Sequence, residues 1–398
     1  MFTFHTEYTN LPYNQNDFHS MITLCPDSVI DKKIPPKSIL YLLDVSGSVE
    51  PKLAKQSIVR SLPFLRSEDE ICVISYSTET SIDVPWTKCT PVNKEKLVDS
   101  VKSISTGGWS NMSNGIFHAI EQCTDRDANI VILSDGETNS GITNSERLVN
   151  MVKTTLEGTQ TRIHAFALSS AEQSDTLRDL TVACNGTYNY VFSYEELPVA
   201  YGSVLGAVLS TVYQGVSIHL KSDSLMFTDM NNTTITSHYV GDIYAQEKKD
   251  ILFKCHVIQS KQTHVIQYTI KGSNIISENP LLINGETTIE CGDDNDISSP
   301  VLDRIEELRV VRELKRARTS TSMEKAIQIL SQTHTPLKSL QEDLDMLIGS
   351  RDHEFKMRSL LSRIEQEYSE QRDNRSDDLL SDYSTPFRLW TSRAVSHD

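Results

Sequence analysis

The sequence predicts an α/β protein: a doubly wound, mostly parallel sheet joined to a small antiparallel β-sandwich unit and a C-terminal helical hairpin. Three observations lead there. Between residues 37 and 212, short apolar runs alternate with amphipathic stretches of helical length, as in βαβ units whose strands are covered on both faces. Between residues 213 and 298, apolar residues instead recur at every second position, between clusters of Asn, Ser and Gly, as half-buried antiparallel strands require. From Val301 onward the apolar spacing is helical.

In chain order, residues 1–36 contain FHSMITLC, whose character matches the later β unit; pairing with it would make the α/β part an insertion in that unit. SILYLLDVSGS is a buried strand ending in a small-residue turn, and Pro51 opens the helix PKLAKQSIVRSLPFL. EICVISYS is the next strand and STETSIDVPW an edge strand, followed by the helices KEKLVDSVKSI and MSNGIFHAIEQC. ANIVILSDG repeats the strand-then-turn pattern of the first strand. The helix ERLVNMVKTTLE, the strand RIHAFALS, the helix SDTLRDLTVAC, the strand GTYNYVFS and the helix YEELPVAYGSVLGAVLSTVY complete this part. GVSIHLKS, ITSHYVGDIY, KDILFKCHVIQ and HVIQYTIKG then read as the antiparallel strands of residues 213–298. In residues 299–372, Ile305, Leu308 and Val311, then Leu344, Leu347, Leu360, Leu361 and Ile364, mark helices broken near Thr335-Pro336; residues 373–398 read as a loose tail rich in Ser, Asp and Arg.

Composition narrows the function. The 398 residues hold 54 acidic and 38 basic side chains, a net charge of −16, and most of the imbalance lies before residue 299. An acidic chain is a poor fit to nucleic acid, whose binding needs a basic face. No apolar run reaches the roughly 18 residues that span a bilayer. Seven dispersed cysteines without a CxxC read as reduced structural thiols, and MFTFHTEYTN lacks the pattern of a secretory signal, so the expected compartment is intracellular. The Asn-x-Thr patterns at Asn185, Asn231 and Asn232 point weakly the other way.

The chemistry lies at two strand ends. In an open parallel sheet, ligand sites form where carboxyl ends of strands meet. Asp44, Ser46 and Ser48 stand at i, i+2, i+4 after the first strand, with Gly47 permitting the turn, and Ser134-Asp135-Gly136 follows a later one. The intervening loop Gly107-Gly108-Trp109-Ser110-Asn111 offers a further hydroxyl. Carboxylates and hydroxyls without His or thiolate form a hard oxygen site suited to Mg²⁺, Mn²⁺ or Ca²⁺. The alternative is that Asp44 and Asp135 only cap the helices that follow. No Walker loop, GxGxxG turn, HExxH or GxSxG elbow is present, and His118 and His164 read as ordinary helix and strand residues. The charged stretch ELRVVRELKRAR reads as a solvated helix surface rather than a partner-binding face.

DVSGS, GGWSNMSNG and LSDGETN, in this order within strand–helix alternation, resemble the metal-ion-dependent adhesion site of von Willebrand factor A domains over residues 37–212. The resemblance implies metal roles for Asp44, Ser46, Ser48 and Asp135, and for Ser110 where the family usually has Thr. It implies partner contact near Trp109, Asn111, Gly136 and Glu137; Trp109 either walls the pocket or covers the sheet edge. The β segment followed by helices also resembles multi-part proteins of this family, including inter-alpha-trypsin-inhibitor heavy chains and plant ubiquitin ligases, but no zinc RING cluster occurs here. The expected function is therefore non-enzymatic adhesion or scaffolding. A divalent cation would accept an Asp or Glu carboxylate from a protein partner that is otherwise neutral or basic, since an acidic head repels a broadly acidic one. Two alternatives stand beside it: a metal-dependent hydrolase using Asp44 and Asp135, and a structural subunit whose metal site is vestigial. The oligomeric state is not legible.

Overall fold

The computed structural model describes residues 2–26, 34–49, 51–168, 175–191, 197–292, 296–319 and 338–349, together with Gln332 and Ile364. Its centre is a six-stranded sheet. The strands are β3 (Ser38–Asp44), β4 (Glu70–Tyr76), β5 (Thr80–Lys88), β6 (Asn129–Ser134), β7 (Arg162–Ala167) and β8 (Tyr188–Tyr190), in the order β5-β4-β3-β6-β7-β8. All pair in parallel except β5, which folds back antiparallel on β4 as the edge strand.

The strands are apolar throughout because both faces are covered. On one face Ile39, Tyr41 and Leu43 of β3 pack with α1 (Lys52–Ser61), α2 (Pro91–Ser103) and α6 (Leu197–Leu209), where Ile58, Leu97 and Val204 are buried. On the other, Leu40 and Leu42 meet Ile116, Leu148 and Leu177 from α3 (Met112–Glu121), α4 (Ser145–Thr155) and α5 (Asp175–Ala183). This alternation along one strand is the physical meaning of a continuous apolar run in a doubly wound sheet. The Tyr201 hydroxyl of α6 donates to the Tyr41 hydroxyl beneath it, so a largely apolar helix still carries a polar tie to the sheet.

A sandwich of two four-stranded antiparallel sheets stands beside the α/β part. One sheet runs β1-β2-β12-β10, from Phe2–Thr6, Asp17–Leu24, Lys249–Val257 and Leu225–Thr228; the other runs β11-β9-β13-β14, from Ser237–Tyr244, Thr211–Lys221, Thr263–Asn274 and Asn279–Glu290. The N-terminal segment thus contributes two strands, with β2 pairing β12 from Lys249↔Leu24 to His256↔Asp17. Phe18, Ile22, Ile218, Phe253, Ile266 and Ile289 form the shared core. Three strands, β1, β10 and β14, escape the sequence pattern: β10 has four residues, and β14 begins at Asn279-Pro280 and contains Asn284-Gly285.

The junction falls earlier than position 213. α6 stops at Leu209, and β9 begins at Thr211. There Thr211-Val212-Tyr213 favours strand, while the Ser210 and Thr211 hydroxyls return to the carbonyls of Ala207 and Val208 and satisfy the end of the helix. Across this junction Arg162 of β7 grips Asp242 of β11 through two bonds, Nε to Oδ2 at 3.1 Å and Nη2 to Oδ1 at 3.0 Å, both side chains being buried.

Helix α7 (Ser299–Thr319) lies on the sandwich, with Val301, Ile305 and Leu308 against Met21 and Leu252; α8 (Lys338–Gly349) buries Leu344 and Leu347. The break expected at Thr335-Pro336, Leu360, Leu361 and residues 373–398 lie outside the described residues. All seven cysteines are free.

One glycine fixes the turn into β8. A Cβ on Gly186 would stand 1.7 Å from the carbonyl oxygen of Ile163, a backbone atom that cannot yield. We expect Gly186→Ala to cost about 3 kcal/mol in urea unfolding, the upper range for overpacking. Gly158→Ala, at φ +81 with nothing nearby, should cost only the roughly 1–2 kcal/mol of the left-handed conformation.

Candidate metal centre

Strand register builds the site. Asp44 ends β3 directly opposite Tyr76 of β4, and the β3–β6 pairing Leu43↔Leu133 places Ser134 beside it on the other flank. Both neighbours donate to the same oxygen of Asp44: the Tyr76 hydroxyl to Oδ2 at 3.0 Å and the Ser134 hydroxyl at 2.8 Å. The Ser46 amide holds the other oxygen, Oδ1, at 3.0 Å. Tyr76 can reach because Gly115 of α3 offers no Cβ; one there would stand 2.8 Å from the tyrosine ring.

The separated motifs converge on this carboxylate. Ser110 Oγ donates to Asp44 Oδ2 at 3.3 Å from the Gly107–Asn111 loop. Ser48 Oγ donates to Asp135 Oδ2 at 2.6 Å, and since its proton is thereby used, the 3.3 Å contact between Ser46 Oγ and Ser48 Oγ has Ser46 as donor. The Glu137 amide donates to Asp135 Oδ1 at 3.0 Å, in a turn where Gly136 takes φ +84. Backbone bonds lock the two loops together, from Gly47 N to Gly108 O at 3.1 Å and from Gly107 N to Val45 O at 2.8 Å. The Ser110 carbonyl accepts from Asn139 and Ser140, fixing the loop against the stretch after Asp135.

Asp44, Ser46, Ser110 and Asp135 are buried, while Ser48 opens to solvent. Burial pushes the Asp135 carboxyl above its ordinary range, against bonds from Ser48 and Glu137, and the charges of Asp44 and Glu137 act in the same direction as burial. Burial and the Asp44 charge likewise push the Tyr76 hydroxyl well up. None of the ion pairs among the described residues involves Asp44. This donor set fits a hard divalent cation. Two carboxylates and three hydroxyls supply only oxygen, and Ser48 and Ser110 spend their protons on the carboxylates, which leaves lone pairs for a cation. Among the described residues no group of three or more His, Cys, Asp and Glu side chains offers a competing metal site.

The capping alternative does not survive. α1 begins behind Pro51 with no side-chain cap, and α4 is capped by Asn144, far beyond Asp135. Asn111 does cap α3, its Oδ1 accepting from the Asn114 amide at 3.2 Å and the Ser113 hydroxyl at 3.1 Å, so its side-chain oxygen is occupied there. Trp109 is 69% exposed, so it does not cover the sheet edge; its amide is tied to Thr78 Oγ1. The sequence marks Ser134 only as part of a strand end and does not mark Tyr76, because the role of each appears only once register sets them either side of Asp44. The Ser-Asp pairing at the end of β6 was the available signal for Ser134.

The family model described as von Willebrand factor type A domain matches residues 38–201. Inter-alpha-trypsin inhibitor heavy chain H3 of Mesocricetus auratus is 30% identical over 139 residues, which make up 31% of this chain and 16% of that protein. The uncharacterized protein YfbK of Escherichia coli is 21% identical over 238 residues, 57% of this chain and 41% of that protein. The chain therefore spans less than half the length of these curated relatives. Among solved structures, von Willebrand factor type A from Catenulispora acidiphila matches with a TM-score of 0.64 at 12% identity, over 88% of this chain and 87% of that one. The ArnB paralog VWA2 from Sulfolobus acidocaldarius matches with a TM-score of 0.64 at 13% identity, over 92% of this chain and 97% of that one. At these identities the likeness is one of fold, and it reaches well beyond residues 38–201. Residues 38–201 are a von Willebrand factor type A domain, and the chain is a von Willebrand factor A domain-containing protein.

Proposed function

We propose that this chain is a non-enzymatic adhesion or scaffold protein whose von Willebrand A domain holds a divalent cation, Mg²⁺ or in its place Mn²⁺ or Ca²⁺, and through it binds a carboxylate of a protein partner. The observation that carries this reading is the convergence of Asp44, Ser46, Ser48, Ser110 and Asp135 in hydrogen-bond contact at the carboxyl edge of a parallel sheet. The bound cation supplies positive charge and a coordination position for the partner's Asp or Glu. The chain's own residues do the positioning. Tyr76, Ser134 and the Ser46 amide fix the Asp44 carboxylate, and Asp44 and Asp135 orient the Ser110 and Ser48 hydroxyls. Partner contact falls to Trp109, Glu137, the backbone at Gly136 and the NH₂ group of Asn111, whose oxygen is used as the cap of α3. A hydrolase would need an acid or base near Asp44, and the sequence offers only Asp135 and Glu137, whose amide closes the Asp135 turn. No helix among the described residues is long and apolar enough to cross a membrane.

Partner capture from a lysate on immobilised full-length chain should be lost in EDTA and restored by Mg²⁺, and Asp44→Ala should capture nothing. Because Tyr76, Ser110 and Ser134 lose their acceptor in that variant, at roughly 1–3 kcal/mol for an unsatisfied buried donor, Ser48→Ala serves as the second test on an exposed hydroxyl. Capture unaffected by both EDTA and Ser48→Ala would overturn the reading. Once a partner is in hand, Trp109→Ala should weaken binding by about 2 kcal/mol, roughly 30-fold, as aromatic anchors of interfaces do; titration calorimetry with Mg²⁺ present reads this directly.

A further inference from the structure

At the opposite end of the central sheet from Asp44, where β3 and β6 begin, a cavity of about 450 Å³ separates the von Willebrand A domain from the sandwich. Lys37, Asp127 and Asn129 line it from the first, and Gln214, Asn274 and Glu278 from the second. Lys37 is only 8% exposed. Its ammonium nevertheless makes no hydrogen bond or ion pair with any described residue; the residue's bonds run through its backbone, the amide donating to Asp69 Oδ1 at 2.8 Å and the carbonyl accepting from the Glu70 amide at 2.9 Å. The nearby acids are already engaged, Asp69 by Arg66 and Asp242 by Arg162. Burial accordingly pushes the amine down to about 8; Asp242 and Asp69 offset this only in part, and Arg66 adds to it. A buried cation without an anion is costly, and a cavity it lines is where the missing charge can enter.

Two side-chain amides in the same wall have their oxygens occupied. The Thr187 amide donates to His164 Nδ1 at 3.2 Å, so Nε2 carries the proton and donates to Asn129 Oδ1 at 3.2 Å. Asn274 Oδ1 accepts from the amides of Ile276 at 3.0 Å and Ser277 at 3.2 Å. What remains of each is its NH₂ group, a donor. One ammonium and two NH₂ groups form a carboxylate-binding set. Asp127 and Glu278, the acids of the lining, are both exposed and so stand at the mouth. A simple anion would have to pass them, whereas a ligand with a positive end would be held by them.

We propose that this cavity binds a small zwitterion of the amino-acid type, its carboxylate held by Lys37 and the amides of Asn129 and Asn274, and its ammonium met at the mouth by Asp127 and Glu278. The site is independent of the metal centre and needs no cation there. Its volume lies within the usual range of small-molecule pockets, and its walls come from both halves of the molecule, so occupancy would tie the domain to the sandwich.

Titration calorimetry on the full chain, with EDTA present to silence the metal centre, tests this with three probes: glycine, acetate and methylammonium. Glycine should bind saturably at one site per chain, acetate at least tenfold more weakly, and methylammonium not at all. Lys37→Met should lower glycine affinity at least 30-fold while leaving urea stability equal or higher, since an unpaired buried cation has been removed, and this separates lost binding from lost fold. The pair Asp127→Asn and Glu278→Gln should bring glycine down to the acetate level without weakening acetate. No saturable binding of glycine, acetate binding as tightly as glycine, or undiminished glycine binding by Lys37→Met would each overturn the proposal.

Discussion

The structure turns on two carboxylates held within one crevice, Asp44 at 1% and Asp135 at 5% exposure, at the ends of adjacent parallel strands. Burial is what chiefly pushes the Asp135 carboxyl up, and the Asp44 charge adds to that push. The surrounding structure does not relieve it by moving the groups apart. It holds them instead, with Tyr76 and Ser134 bonded to one and Ser48 and the Glu137 amide to the other. A pair of buried acids fixed this firmly, with the Ser48 and Ser110 protons spent on the carboxylates, fits the small hard cation proposed for it.

Everything that positions this pair traces back to the doubly wound sheet. Parallel pairing places Asp44 between Tyr76 and Ser134, and Gly115 lets α3 close on the tyrosine. The last helix of the domain runs into β9 within two residues, and Arg162 holds Asp242 across the same boundary. Losing one member of such a buried pair costs about 3–5 kcal/mol, because the other charge is stranded. The domain is thus bound to the sandwich at the end away from the Asp44–Asp135 crevice, which leaves that crevice and the exposed Trp109 beside it clear of the sandwich.

Much of this was legible in the sequence, for identifiable reasons. A strand covered on both faces must be apolar throughout, so SILYLLD and ANIVILS announce themselves, and the spacing Asp44, Ser46, Ser48 marks a turn that can gather oxygens. What escaped depends on pairing partners distant in sequence. Tyr76 reads as one more strand residue until register sets it opposite Asp44. Lys37, the first residue of the α/β part, carries no signal of its own until the sandwich closes over it. The edge strand β14 is hidden by the Pro, Asn and Gly within it, residues that an outer strand tolerates and an inner one does not. Trp109 could have covered a sheet edge or faced a partner, and only its exposure decides between these.

The central claim is that Asp44 and Asp135 are organised around one cation, and the most direct test counts cations at that pair. Titrating the full chain with Mn²⁺ and following the free ion by electron paramagnetic resonance should give one tightly held Mn²⁺ per chain, displaced by Mg²⁺. Asp135→Asn removes one of the two charges while keeping the shape, and it should lose that site. Absence of a held Mn²⁺ in the unaltered chain, or a site that persists undiminished in Asp135→Asn, would contradict the account.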